Sequence, residues 1–146
     1  MTEISGAEWE VMRILWAGGE TKSSEMVVIL QEKFEWSAST VKTLLGRLVE
    51  KNLVEARRLG RAYLYSALVD QKLYQENRVK ESFSNICQRQ HSQLILTVLE
   101  DLPMTKTDLE AFERLLVQKK QHMVASVPCN CLPGQCHCKK ERKVLE

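Results

Sequence analysis

A chain of 146 residues holds one compact domain or two small ones. Its longest apolar runs, such as Leu94–Leu99 with its internal threonine, fall short of a membrane span. Three scattered histidines (His91, His122, His137), no glycine-rich phosphate loop and no nucleophile–base pairing give no basis for an enzyme.

In chain order, Ser5-Gly6-Ala7-Glu8 has the spacing of a capping box. It opens a predicted helix in which Trp9, Met12 and Trp16 recur at helical intervals, flanked by Val11 and Leu15 and ended by Ala17-Gly18-Gly19. A second helix starts near Ser23 or Ser24 with Val27, Leu30 and Phe34 as its stripe. Ser37 caps a third, which runs to about Lys51 on a buried stripe of Val41, Leu44, Leu45 and Leu48, with Asn52 as the stop. Two β-like runs follow, Leu53–Leu59 and Ala62–Ser66, and the Gly60-Arg61 between them reads as a hairpin loop. Three helices followed by a basic hairpin form the winged variant of the helix-turn-helix.

Charge is partitioned along this segment. Residues 1–36 hold three basic and seven acidic side chains, whereas residues 37–66 hold six basic (Lys42, Arg47, Lys51, Arg57, Arg58, Arg61) and two acidic (Glu50, Glu55). A solvated face would interleave both signs; concentration of one sign is the footprint of nucleic-acid binding. The third helix is the expected reader. Its outward positions are Ser39, Thr40, Lys42, Thr43, Gly46 and Arg47, and Gly46 permits close backbone approach. Arg57, Arg58 and Arg61 set the wing against neighbouring DNA backbone or minor groove, each as a phosphate contact before a base reader.

From Asp70 the pattern is helical. Leu73, Val79, Phe83 and Ile86 predict one long helix, and Leu94, Ile95, Val98 and Leu99 a second. After Pro103, Thr105-Lys106-Thr107-Asp108 offers a capping box for a third, lined by Leu109, Phe112, Leu115 and Leu116 and ending near His122. So short a segment cannot bury these stripes alone, which predicts packing against a second copy of the chain; packing on its own N-terminal domain is the alternative. A dimer of winged modules calls for an operator with two-fold symmetry.

Near the C-terminus stand two close cysteine pairs, Cys129-Asn130-Cys131 and Cys136-His137-Cys138, around Leu132-Pro133-Gly134-Gln135. Pro-Gly at the central positions favours a type II turn that folds one pair back on the other. Cysteines two apart in extended backbone point to one face. Four thiolates converging on one point suit zinc, copper(I) or an iron–sulfur cluster and exclude hard ions. A zinc knuckle more often uses C-x-x-C; C-x-C also suits polynuclear copper(I) with bridging thiolates. His137 could serve as a fifth ligand but is read as facing solvent or standing behind the ligands, since four sulfurs already complete a tetrahedral shell; Cys87, alone in a helical pattern, is read as a small buried hydrophobe. The acidic Met1-Thr2-Glu3-Ile4-Ser5 is not a signal peptide, so the expected compartment is the cytoplasm, where thiols stay reduced and metal is favoured over disulfide.

The string Trp36-Ser37-Ala38-Ser39-Thr40-Val41-Lys42-Thr43-Leu44-Leu45, followed by Arg47-Leu48 and Gly60-Arg61-Ala62-Tyr63, resembles the BlaI/MecI winged-helix repressors over roughly residues 5–122. The pattern of Cys129, Cys131, Cys136 and Cys138 resembles the CopY-type copper-responsive branch. The resemblance implies a mainly α fold with a small β-hairpin wing: a winged-helix DNA-binding domain over 1–70, a helical dimerisation domain over 71–124 and a four-cysteine metal-binding tail over 125–146. It implies a cytoplasmic homodimeric repressor of a copper-homeostasis operon. Zinc on the four cysteines supports operator binding, copper(I) displaces it and releases the DNA, and a small copper chaperone is the copper donor. Ser39, Thr40, Lys42, Thr43, Arg47, Arg57, Arg58 and Arg61 are the expected DNA-facing residues. The antibiotic-resistance branch is inactivated by cleavage at an Asn-Phe bond; here asparagine precedes Leu53, Arg78, Ile86 or Cys131 instead. A metal buffer or carrier and a thiol-redox sensor are the competing readings of the same cysteines.

Overall fold

The computed structural model describes residues 3–138. The chain divides into two compact units, Met1–Glu76 and Asn77–Glu146.

The first unit is built on three helices, α1 (Gly6–Gly18), α2 (Ser23–Phe34) and α3 (Ala38–Glu50), and a sheet. Ser5 caps α1 by accepting the Glu8 N–H at 3.2 Å. Only this half of the predicted capping box forms, because the Glu8 carboxylate turns inward to the Lys51 ammonium at 2.6 Å. Lys51 also donates to the Glu3 carbonyl at 2.8 Å, so the ends of α1 and α3 are tied through one cation. The predicted α1 stripe is rotated. Val11, Met12 and Leu15 are the buried residues, while Trp9 and Trp16 are half-buried and form an aromatic cluster with Tyr74. The Trp16 indole N–H needs a hydrogen-bond partner and reaches the Val69 carbonyl at 3.1 Å.

In α2 the deepest side chain is Met26, with Leu30 beside it; Val27 and Phe34 pack at the margin. The stripe of α3 is the predicted one: Val41, Leu44, Leu45 and Leu48 are all buried. Ser37 caps this helix through the Thr40 N–H. Its end is a Schellman closure, with Leu53 N–H on Leu48 C=O at 3.1 Å and Asn52 N–H on Val49 C=O at 3.0 Å. Asn52 takes the left-handed conformation (φ 60°) that this closure needs.

Strands β2 (Val54–Leu59) and β3 (Ala62–Ala67) pair antiparallel, Arg57 opposite Leu64 and Leu59 opposite Ala62. Gly60 at the first loop position has φ 63°, which turns the chain in two residues. A short strand, β1 (Thr21–Lys22), adds to the free side of β3 and completes a three-stranded sheet in the order β1-β3-β2. Two residues are too few for any periodicity to reveal them in sequence.

Helix α4 (Gln71–Ser82) begins with the Asp70 carboxylate accepting the Leu73 N–H at 2.9 Å. Its buried residue is Tyr74; the predicted Leu73 and Val79 are exposed. The helix is shorter than the predicted one. It stops at Ser82, and a turn and a 3-10 helix (Gln88–Gln90) precede α5 (His91–Asp101) and α6 (Lys106–Lys120). In α6 both halves of the predicted capping box are present, Thr105 and Asp108 exchanging bonds at 2.9 and 3.2 Å. The stripe residues of α5 and α6 stand largely open: Leu94 is 38% exposed, Leu115 54% and Leu116 55%. In a single chain these apolar stripes are not buried, as the length argument anticipated.

Candidate functional site

All eight predicted DNA-facing side chains are exposed and belong to the first unit: Ser39, Thr40, Lys42, Thr43 and Arg47 on α3, Arg57 and Arg58 on β2, and Arg61 in the wing loop. They are not equally available. The Ser37 hydroxyl lies 3.0 Å from both the Ser39 and Thr40 hydroxyls, and Thr43 donates back to the Ser39 carbonyl at 2.9 Å. Each hydroxyl keeps a lone pair for an outside partner. Arg57 is held by Glu20, with Nε and Nη2 at 2.9 and 2.8 Å from one carboxylate oxygen. Arg58 Nε donates to the Gly60 carbonyl in its own loop at 3.1 Å. Of the six cations in the basic window, Lys51 and Arg57 therefore have acidic partners already. Sequence counting could not see this, because Glu8 and Glu20 lie far from them along the chain.

The second cluster is sulfur. Leu132–Gln135 forms the expected turn: Gln135 N–H bonds the Leu132 carbonyl at 3.0 Å and Gly134 has φ 96°, the positive value required at the third position of a type II turn. The Gln135 side-chain oxygen accepts the Leu132 N–H at 2.9 Å and braces it. Cys129 Sγ and Cys136 Sγ are thereby brought to 3.3 Å, and the Cys138 N–H points at Cys136 Sγ from 3.4 Å. His137 is exposed.

The reading of Cys87 as an isolated buried hydrophobe misses its surroundings. It is buried, but its Sγ lies 3.8 Å from Cys129 Sγ and 3.9 Å from Cys138 Sγ. It does not continue a helix; it sits between α4 and the 3-10 turn, outside both. His91 secures that bend, its Nε2 lying 2.9 Å from both the Phe83 and Ile86 carbonyls while its ring meets Phe83 edge-on. The sulfurs of Cys87, Cys129, Cys131 and Cys136 all fall within 4.8 Å of one another. Tetrahedral zinc with Zn–S near 2.3 Å sets its sulfurs about 3.8 Å apart, so the donor set and its spacing fit a thiolate-bound ion.

The thiols divide their protons unequally. A hydrogen bond from the Cys131 N–H, with help from the Cys136 thiol, lowers Cys129 from 9.0 to about 6. Partial burial pushes Cys131 up to about 12, and a hydrogen bond with Cys136 first, then burial, pushes Cys138 up to about 11. Cys129 is thereby the thiol most easily ionised, while Cys131 and Cys138 hold their protons more tightly. Metal ligation must displace their protons, which makes affinity rise with pH.

An exposed third helix and a hairpin wing on a three-helix core define the winged-helix class of DNA-binding domain. The penicillinase repressor family matches residues 4–118, and the chain belongs to this family of transcriptional repressors. An uncharacterized 16.5 kDa protein from the ptsI 3′ region of Latilactobacillus sakei is 36% identical over 139 residues, 95% of each chain. The methicillin resistance regulatory protein MecI of Mammaliicoccus sciuri is 26% identical over 117 residues, 80% of this chain and 95% of its own. Among solved structures, a CopR repressor is 40% identical over 47% of this chain and 100% of that one, with a TM-score of 0.41. The family match ends before the first tail cysteine, so the four tail cysteines lie outside it while Cys87 lies within it.

Proposed function

We propose that this chain is a metal-responsive repressor of a copper-homeostasis operon. As a cytoplasmic homodimer, its zinc form binds a two-fold-symmetric operator; copper(I) takes the place of zinc at Cys129, Cys131, Cys136 and Cys138 and the DNA is released. The observation that carries the reading is the convergence of three of these thiols, Cys129, Cys131 and Cys136, with Cys87 in a chain of a repressor family, all within 4.8 Å of one another as a soft metal requires. The choice of copper rests on the resemblance of the cysteine pattern, as does a copper chaperone as donor. The homodimer is supported by the open apolar stripes of α5 and α6. Residues 1–70 carry the DNA contacts, 71–124 the dimer contacts and 125–146 the sensor.

Charge restricts the switch. One zinc ion and two copper(I) ions on four thiolates leave the same net charge, so repulsion of phosphate cannot separate the two forms. Differential stabilisation of two arrangements of the tail is required. The test is operator affinity, by fluorescence anisotropy on a duplex that the protein selects from random-sequence DNA, with and without zinc. Tighter binding by the zinc form supports the reading; equal affinity of zinc-loaded and metal-free protein removes the tail from regulation.

A thiol-redox sensor is favoured by one observation, the approach of Cys129 Sγ to Cys136 Sγ at 3.3 Å. It calls for DNA release by oxidant without metal, whereas the metal reading calls for release by copper(I) under strongly reducing conditions.

A further inference from the structure

The second unit contains a fifth thiol that the tail motif does not include. Cys87 precedes Cys129 by 42 residues, yet its Sγ is 3.8 Å from Cys129 Sγ. Two further bonds fix the tail to the same short segment. The Gln88 N–H donates to Asn130 Oδ1 at 2.9 Å, and Arg89 Nε donates to the Val127 carbonyl at 2.8 Å. Asn130 is the residue between Cys129 and Cys131, so the polar contact and the thiol contact act on the same three residues. Cys87 is held where it is by the bend that His91 secures, independently of the tail.

From this geometry we infer that Cys87 is a ligand of the same metal ion, and that a single tetrahedral ion is held by Cys87, Cys129, Cys131 and Cys136. Those are the four sulfurs mutually within 4.8 Å; Cys138, although 3.9 Å from Cys87, falls outside that set. The inference rests on the metal reading above and revises its ligand set, Cys87 standing where that reading has Cys138. A tail that supplied all four ligands itself would close on its ion joined to the helices only by the connecting residues that follow α6. Ligation by Cys87 makes the ion a cross-link between the tail and the junction of α4 and α5, so that occupancy of the site is felt by the helical unit directly. Five thiols for four positions also leave one sulfur beside the shell, available to an incoming soft ion.

The experiment uses the full-length wild-type protein loaded with cadmium-113, a thiophilic stand-in for zinc, and maps scalar couplings from the cadmium resonance to cysteine β-protons. Coupling to Cys87 together with tail cysteines supports the inference. Coupling to Cys129, Cys131, Cys136 and Cys138 without Cys87 overturns it and leaves the metal reading standing. Failure to bind cadmium or zinc at all overturns both. Zinc competition with Cys87→Ser, checked for unchanged helicity, is the second readout. Loss of a direct ligand should weaken zinc beyond the roughly 10–100-fold that altering an outer-shell partner costs, and should match the loss caused by Cys129→Ser. An unchanged zinc affinity in Cys87→Ser overturns the inference.

Discussion

Gly46 separates stability from DNA binding in a single substitution. It lies inside α3, is exposed, and a methyl group added to it would meet no atom within 4 Å. Its backbone is not in the left-handed region, so alanine fits without strain. Glycine in a helix interior is about 0.8–1.0 kcal/mol worse than alanine. Gly46→Ala should therefore stabilise the first unit by about 1 kcal/mol, raising its midpoint by about 4–8 °C for a domain of this size. All three tryptophans lie in this unit, so intrinsic fluorescence reports its unfolding. On the proposed reading face of α3, between Thr43 and Arg47, the same methyl would hold the backbone off the groove. A tenfold loss of affinity, about 1.4 kcal/mol, is the expected result by anisotropy. Higher stability with undiminished affinity would refute close backbone approach at this position, and with it the assignment of this face of α3 as the reader.

Three other substitutions test separate links. Glu20→Gln frees Arg57 from its ion pair; operator affinity should rise and the slope of log affinity against log salt should steepen by about 0.9, whereas an unchanged slope means Arg57 does not meet phosphate. Lys51→Met leaves the Glu8 carboxylate, 3% exposed, without its cation. Because Lys51 itself is 29% exposed, the cost should fall near the low end of the roughly 3–5 kcal/mol for breaking a buried pair, read as a lower denaturant midpoint of the first unit. Asp108→Ala removes the acceptor of the α6 cap. Hydrogen bonds from the Thr105 N–H and hydroxyl hold the Asp108 carboxyl below its ordinary 3.8, so its stabilisation is present above that value and lost as pH falls through the lower folded value. The wild type should be the more stable at pH 7, and the difference should close in acid; a wild-type advantage that persists below the folded value would show that the ionised carboxylate is not its source, since helix propensity favours alanine.

The parts of this molecule legible in the sequence are those carried by short-range patterns. The α3 stripe, its Ser37 cap, the Gly60-Arg61 hairpin, the Thr105–Asp108 box and the Pro133-Gly134 turn each follow from residues within a few positions of one another. What escaped was set by contacts distant in sequence. Glu8 has the spacing of a capping residue but is claimed by Lys51, and β1 exists only because β3 offers an edge to pair with. The α4 stripe fails because Tyr74, rather than Leu73, meets the tryptophans of α1. Cys87 is the same case at the candidate site. A single cysteine carries no spacing, and only the bend after α4 brings it to the tail.

The most direct test of a metal-responsive repressor follows two signals in one cuvette. Zinc-loaded protein on labelled operator receives copper(I) anaerobically, while DNA anisotropy and released zinc are recorded together. The account predicts that zinc release and DNA dissociation proceed in step. Zinc leaving while the DNA stays bound would contradict it, and would make the sulfur cluster a metal store carried by a repressor that answers to something else.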